Sequence, residues 1–215
     1  MTETAPPTLH EAVGRRVGAL QHAHLDGRSP QARATLSTLR RAVARDPGRD
    51  PLAWGLVLHG GDGDVLPEHL LGRGDEPSRA EWAAYTALTC YAVHQQSQSR
   101  PMHVPGTSFG EAVGRLVPRT SESVKARFDA LLTAAGFPAV RYHLRSLVTL
   151  LRSEGIPFDY GRFAEDLARL QDPRARDRVL LAWGRDYVKG RHPRSAAPTE
   201  PDDALSVAPD SPVPA

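Results

Sequence analysis

The sequence predicts an all-α fold: a two-lobed helical bundle of about nine helices followed by a disordered acidic C-terminal tail. Three observations carry that expectation. Apolar residues recur at spacings of three and four along most of the chain, the period of a helix face. Helix starts are marked by Ser or Asp before Pro, as at Ser29-Pro30 and Asp172-Pro173, where the first residue caps and the second suits the first turn. No alternating run of β-branched residues, the mark of a half-buried strand, occurs anywhere.

Taken in order, residues 9–25 place Leu9, Val13, Val17 and Leu20 on one face. The helix opened by Ser29-Pro30 carries Leu36, Leu39 and Val43 and stops near Asp46-Pro47-Gly48. A short apolar segment, Pro51 to Leu58, leads into His59-Gly60-Gly61-Asp62-Gly63-Asp64, a loop by composition. A long helix is expected from about Pro77 to Gln96, with Trp82, Tyr85, Leu88 or Thr89, and Ala92 inward. The Ser97–Thr107 stretch, broken by Pro101, Pro105 and Gly106, divides an N-terminal lobe (8–100) from a C-terminal bundle (107–190). Helices are expected over Ser108–Val117, Ser121–Ala134, Pro138–Glu154 and Asp159–Leu170, and a last one from Asp172-Pro173 to about Val188. From about residue 192 to 215, six prolines and an acidic bias read as a disordered tail. The pentapeptide Glu-Ala-Val-Gly-Arg occurs at 11–15 and 111–115, but its flanks do not match and no longer repeat emerges.

With 40% hydrophobic and 24% charged residues among 215, the composition is globular and excludes a wholly disordered or fibrous chain. A single cysteine, Cys90, excludes an internal disulfide framework and a Cys-only metal site. The opening MTETAPPTLHE has no basic n-region and no apolar h-region. No stretch approaches the roughly 20 apolar residues of a membrane span. A cytoplasmic protein with no membrane partner is the expectation.

No motif for reaction chemistry is complete in the sequence. His22 and His24 point to different sides of a helix, and no third ligand has suitable spacing even with His10 nearby. Asp62-Gly63-Asp64 opens like a calcium loop, but the twelfth position is Arg73 and not a bidentate Glu. The Gly60–Gly63 loop lacks the Lys-Ser/Thr of a phosphate-binding loop. Cys90 lies in an apolar helix and reads as a buried structural thiol. No catalytic residue, cofactor or metal site is expected.

Arginine is the informative residue. Of 27 basic residues 25 are Arg, and the net charge of +2 conceals an asymmetry. Residues 100–194 hold 17 Lys and Arg against 10 Asp and Glu, whereas residues 1–99 hold 10 against 11. Arg offers phosphate a planar fork with two hydrogen bonds. On the helix whose core stripe is Val140, Leu144, Leu147 and Leu151, residues Arg141, Arg145 and Arg152 fall on one flanking line. Arg33 and Arg40 share a line with Arg41 one step round, and Arg174, Arg178 and Arg185 share another. A GC-rich genome also writes an Arg/Ala/Pro-rich chain, and charged helix faces are ordinarily just solvated. The residues alone therefore leave open a binder of nucleic-acid backbone and a stand-alone helical adaptor for protein partners. A helix-turn-helix reader lacks its short-turned helix pair.

The chain resembles the CasB family, the small subunit of the type I-E CRISPR surveillance complex, Cascade. The likeness lies in Arg33-Ala-Thr-Leu-Ser-Thr-Leu-Arg-Arg41, Ala84-Tyr-Thr-Ala-Leu-Thr-Cys-Tyr-Ala-Val-His-Gln-Gln96 and Ser108-Phe-Gly-Glu-Ala-Val-Gly-Arg115. It is strongest from Lys125 to Leu132, through Leu144–Arg152 and Gly155-Ile-Pro-Phe-Asp-Tyr160, to Val179–Tyr187. Two departures stand out. Lys125 and Arg127 flank Ala126 where the family usually has adjacent basic residues, and Gln171-Asp172 stands where Trp is common.

The resemblance implies a two-lobed helical subunit without catalysis, paired head to tail with a second copy beside CasA, CasC, CasD and CasE family subunits. It would brace the guide RNA–target DNA duplex and hold the displaced strand, with sequence read by guide pairing. The candidate nucleic-acid-binding residues are thus Arg33, Arg40, Arg41, Arg115, Arg127, Arg141, Arg145, Arg152, Arg178 and Arg185.

Overall fold

The computed structural model describes residues 5–60, 63–64, 66–116 and 123–192. The expected tail beyond residue 192 lies outside the described residues. Nine α-helices run among them: α1 (Leu9–Leu25), α2 (Pro30–Ala42), α3 (Pro51–Leu58), α4 (Arg79–His94), α5 (Phe109–Leu116), α6 (Ser123–Leu132), α7 (Phe137–Glu154), α8 (Tyr160–Leu170) and α9 (Pro173–Arg191). The protein is an all-α bundle. The stretch expected as a plain loop closes as a minimal antiparallel hairpin, with His59 opposite Asp64 and Gly60 opposite Gly63.

The helix starts follow from their capping chemistry. Thr8 and Glu11 form a reciprocal capping box on α1, as do Ser78 and Glu81 on α4. Ser29, Asp50 and Asp172 accept backbone N–H bonds ahead of a first-turn proline in α2, α3 and α9. Asp159 caps α8, and Gly155 ends α7 in the left-handed conformation with φ 60°. The α4 start therefore falls at Arg79, two residues after the expected Pro77.

Helix α4 departs from the expected one-sided helix. Every residue from Ala83 to His94 is buried, so the helix is enclosed all round. It packs against α8, α2 and α7, and α1 lies along α8. One continuous cluster of buried apolar residues runs from Leu9 through Leu88 and Leu144 to Trp183. Thus residues 8–100 and 107–190 meet face to face. The connection between them is itself fixed: the Gln21 side chain brackets the His103 backbone at 2.8 and 3.1 Å, and Asp159 N–H donates to Thr107 C=O at 2.7 Å.

Helices α5 and α9 pack backbone against backbone. A Cβ on Gly110 would strike the Trp183 carbonyl, one on Gly114 the Tyr187 carbonyl, and one on Gly190 the Glu111 carbonyl. Glycine at these three places lets the two backbones touch.

Candidate nucleic-acid interface

The stripe on α7 is built as expected, with Val140, Leu144, Leu147 and Leu151 fully buried. The three arginines beside it meet different surroundings. Arg141, only 10% exposed along its side chain, donates from Nη1 to Asp46 at 2.7 Å and from Nη2 to the Arg45 carbonyl. Its guanidinium also lies 4.9 Å from the centre of the Trp82 ring. It is a clasp between α7 and the turn after α2. Arg152 donates to Gln96 Oε1 at 2.8 Å, while its own carbonyl accepts from Gln98 Nε2 at 2.9 Å. It fastens the end of α7 to the end of α4.

Arg145, half-buried, is the one of the three with neither an ion pair nor a side-chain hydrogen bond among the described residues. It lies over the Tyr142 ring at 6.0 Å, and Tyr142 is 65% exposed. A shallow cleft of about 200 Å³ joins these two to Val43, Ala44 and Asp46, directly after the last turn of α2 that carries Arg40 and Arg41. On the other side, Arg127 of α6 donates to Ser146 at 3.3 Å, next to Arg145 in sequence. The fold therefore sets Arg145 and the Arg127–Ser146 contact on the ledge of α7 that carries Tyr142, and the segment lining its cleft follows the end of α2 that holds Arg40 and Arg41. That aromatic escaped the sequence reading because only the aliphatic stripe was followed. Its signal was a Tyr off that stripe between two arginines.

The remaining candidates are spread more widely. Arg33 is exposed in the first turn of α2. Among the described residues Arg41 bonds its own helix, Ser37 at 3.0 Å and Thr38 at 3.3 Å. Arg115 is engaged with Glu111 at 2.6 Å, and the same carboxylate holds Lys189 at 3.2 Å. Arg178 and Arg185 are exposed on α9 and make no ion pair among the described residues.

Other parts of the molecule are structural in character. A cleft of about 710 Å³ is lined by His10, Glu11, Arg15, Gln21, His103 and Asp159 among others. Asp159 spends its carboxylate on the Gly106 and Arg162 N–H groups, at 2.9 and 3.1 Å. Among the described residues no three His, Cys, Asp or Glu side chains are arranged to hold a metal, and no helix is long and apolar enough to cross a membrane. Cys90 is enclosed, and burial pushes its thiol up to about 12. His94 is fully buried beside Tyr160 Oη at 3.1 Å, and desolvation lowers it to about 3 despite nearby backbone acceptors.

An all-α bundle with a buried central helix and guanidinium groups on its outer faces is the class of protein these features define. Comparison with known proteins makes that class specific. The family model described as CRISPR-associated protein Cse2 matches residues 32–187. CasB from Thermobifida fusca superposes with a TM-score of 0.68 at 34% identity, covering 83% of this chain and 97% of that one. CasB from Thermus thermophilus gives 0.60 at 26%, with the same coverage. A chain of a CRISPR RNA-guided surveillance complex shares the fold, with a TM-score of 0.63 at 22% identity, covering 86% of this chain and 96% of that one. No match was found among curated proteins. The chain belongs to the Cse2 (CasB) family of CRISPR-associated proteins.

Proposed function

We propose that this protein is a non-catalytic small subunit of a type I-E Cascade complex, and that it grips nucleic-acid backbone to stabilise the opened target. Its partners are the CasA, CasC, CasD and CasE family subunits, guide RNA, target DNA and a second copy of itself set head to tail. Its place of work is the cytoplasm. The observation that supports the reading best is the ledge of Arg127 and Arg145, with the Arg40–Arg41 end of α2 leading into the segment that lines its cleft, guanidinium groups that the fold does not use up in ion pairs. Rigid helices hold them, so meeting a phosphate track costs little additional side-chain entropy. Arg33, Arg178 and Arg185 extend the basic surface. Arg115 reaches it only if Glu111 releases it, and Arg141 and Arg152 serve mainly as interhelical ties. Base sequence is left to guide pairing.

The test is the salt dependence of target binding by the assembled complex. Each phosphate contact to a single strand contributes about 0.7 to the slope of log K against log salt. Replacing Arg40, Arg127 and Arg145 with Ala flattens that slope by roughly 2 and weakens unrelated target sequences alike. Crosslinks from position 145 to the displaced strand complete the expected result. An unchanged slope with intact assembly overturns the reading in favour of a protein-binding adaptor.

A further inference from the structure

The outer face of α9 carries a second pattern that the nucleic-acid reading does not absorb. At 100° per residue, Arg174, Arg178, Leu181, Arg185, Val188 and His192 fall within about 40° of one line. Leu181 is 55% exposed and Val188 59%, large aliphatic groups alternating with cations along some 20 Å of helix. Of the acids on α9, Asp186 is tied to Arg162 at 2.9 Å, and Asp177 stands only at the edge of the line. A face meant solely for phosphate has no use for two exposed aliphatics. An occupant that satisfies it must offer carboxylates and apolar side chains together.

Such a segment follows α9 directly. Residues 193–215 hold Glu200, Asp202 and Asp203, then Leu205 and Val207, with one base, Arg194. The family match ends at residue 187, and the solved CasB chains are covered to 97% while this chain is covered to 83%. The spacing is also suitable. From His192 to Glu200 is eight residues, up to about 26 Å of extended chain. From His192 back to Arg178 along α9 is about 21 Å. We infer that the 200–207 segment folds back onto the outer face of α9, its acids on Arg178 and Arg185 and its Leu205 and Val207 against Leu181 and Val188. There it competes with nucleic-acid phosphate for the same arginines. That last consequence rests on the proposed function; the docking itself does not.

The full chain can take a single probe at a chosen site. Because Cys90 is enclosed and un-ionised, a nitroxide can be attached to Ala204→Cys alone. At low salt it should broaden the amide signals of Arg178, Leu181, Arg185 and Val188 and spare those around Arg33. The combination E200Q, D202N and D203N should abolish the effect, as should high salt. Mixing spin-labelled unenriched chain with isotope-enriched unlabelled chain should give no broadening. Broadening in that mixture overturns the proposal in favour of contact between copies. Broadening that survives the neutral variant, or none on α9 at all, overturns it outright. With DNA present, the neutral variant should bind a random-sequence single strand severalfold more tightly at low salt, with the gap closing at high salt. If docking is observed but DNA binding is absent, it is the functional reading that fails.

Discussion

Arg141 and Arg145 are one helical turn apart on α7, yet their guanidinium groups meet opposite environments. One is enclosed by Asp46, the Arg45 carbonyl and the Trp82 ring; the other lies over an exposed tyrosine. A hydrogen bond to a charged group stabilises by about 1.5–3 kcal/mol, and the ring contact adds to it. Arg141→Ala is therefore expected to lower stability by about 2 kcal/mol, whereas Arg145→Ala should change it by less than about 0.5 kcal/mol. Urea unfolding of the two variants side by side checks this, and equal losses would remove the distinction. None of it was visible in the sequence, because Asp46 is distant along the chain and helical periodicity says nothing about tertiary partners.

His94 supplies a second expectation at the same scale. Its folded value, about 3, is below the ordinary 6.5, because burial disfavours the cation. His103 is lowered by burial as well, against the pull of Asp159. Between the folded and unfolded values the unfolded chain binds the extra proton, so stability rises with pH there. The contribution is present in full above about pH 6.5 and is lost as pH falls towards 3. Denaturation midpoints taken from pH 7 to pH 4 should fall, and the fall should be shallower in His94→Gln. A parallel decline in both proteins would assign the acid sensitivity elsewhere.

At the scale of elements, the α5–α9 pair depends on the absence of side chains. Gly114→Ala would put its methyl group on the Tyr187 carbonyl, and Gly190→Ala would put one on that of Glu111. Forcing two packed helices apart costs about 1–3 kcal/mol per overpacked site. Either variant should unfold at a correspondingly lower urea concentration, while Gly18→Ala, whose Cβ meets nothing, should not. The helices themselves were largely legible, since Ser29-Pro30, Asp172-Pro173 and Gly155 state their own boundaries through local chemistry. How helices approach one another was less so. Gly110 and Gly114 share one side of α5, a spacing that signals close approach, yet the Glu-Ala-Val-Gly-Arg repeat read as coincidence. In both copies the glycine faces a neighbouring helix, Gly14 towards Gly161 and Gly114 towards Gly190.

Across the whole molecule, residues 82–99 hold no Asp, Glu, Lys or Arg, a pattern whose meaning a one-sided reading of α4 misses. A helical stretch without Asp, Glu, Lys or Arg is free to be buried on every side, and α4 is so buried from Ala83 to His94, past its charged first turn. Through it the two halves of the chain share a core: Tyr91 packs edge-on against Tyr160 at 5.3 Å, and His94 stacks on Phe158 at 5.3 Å. The prolines at 101 and 105 mark a connection whose backbone is hydrogen-bonded to both sides. The candidate site followed the same logic. Sequence patterning nominated the arginines, while the fold decided which of them remain unpaired.

That shared core predicts how the protein unfolds. When two stretches bury the same side chains, neither keeps its apolar contacts once the other opens, and small systems of this kind unfold in one step. The three tryptophans report on the question locally, because Trp54 and Trp82 belong to the first half and Trp183 to the second. Trp54 and Trp82 are half-buried, so Phe can replace both with modest loss, while Trp183 stays bonded to Asp166 at 2.7 Å. Removing Trp183 instead as Trp183→Phe leaves that carboxylate without its donor and lowers overall stability. The fluorescence of Trp183 should therefore be compared with far-ultraviolet dichroism in one and the same Trp54→Phe/Trp82→Phe protein. Coincident midpoints in urea are expected, with equal slopes. If Trp183 unfolds at a midpoint of its own while helical signal persists, residues 8–100 and 107–190 open as independent lobes, and the contacts through α4 are too weak to couple them.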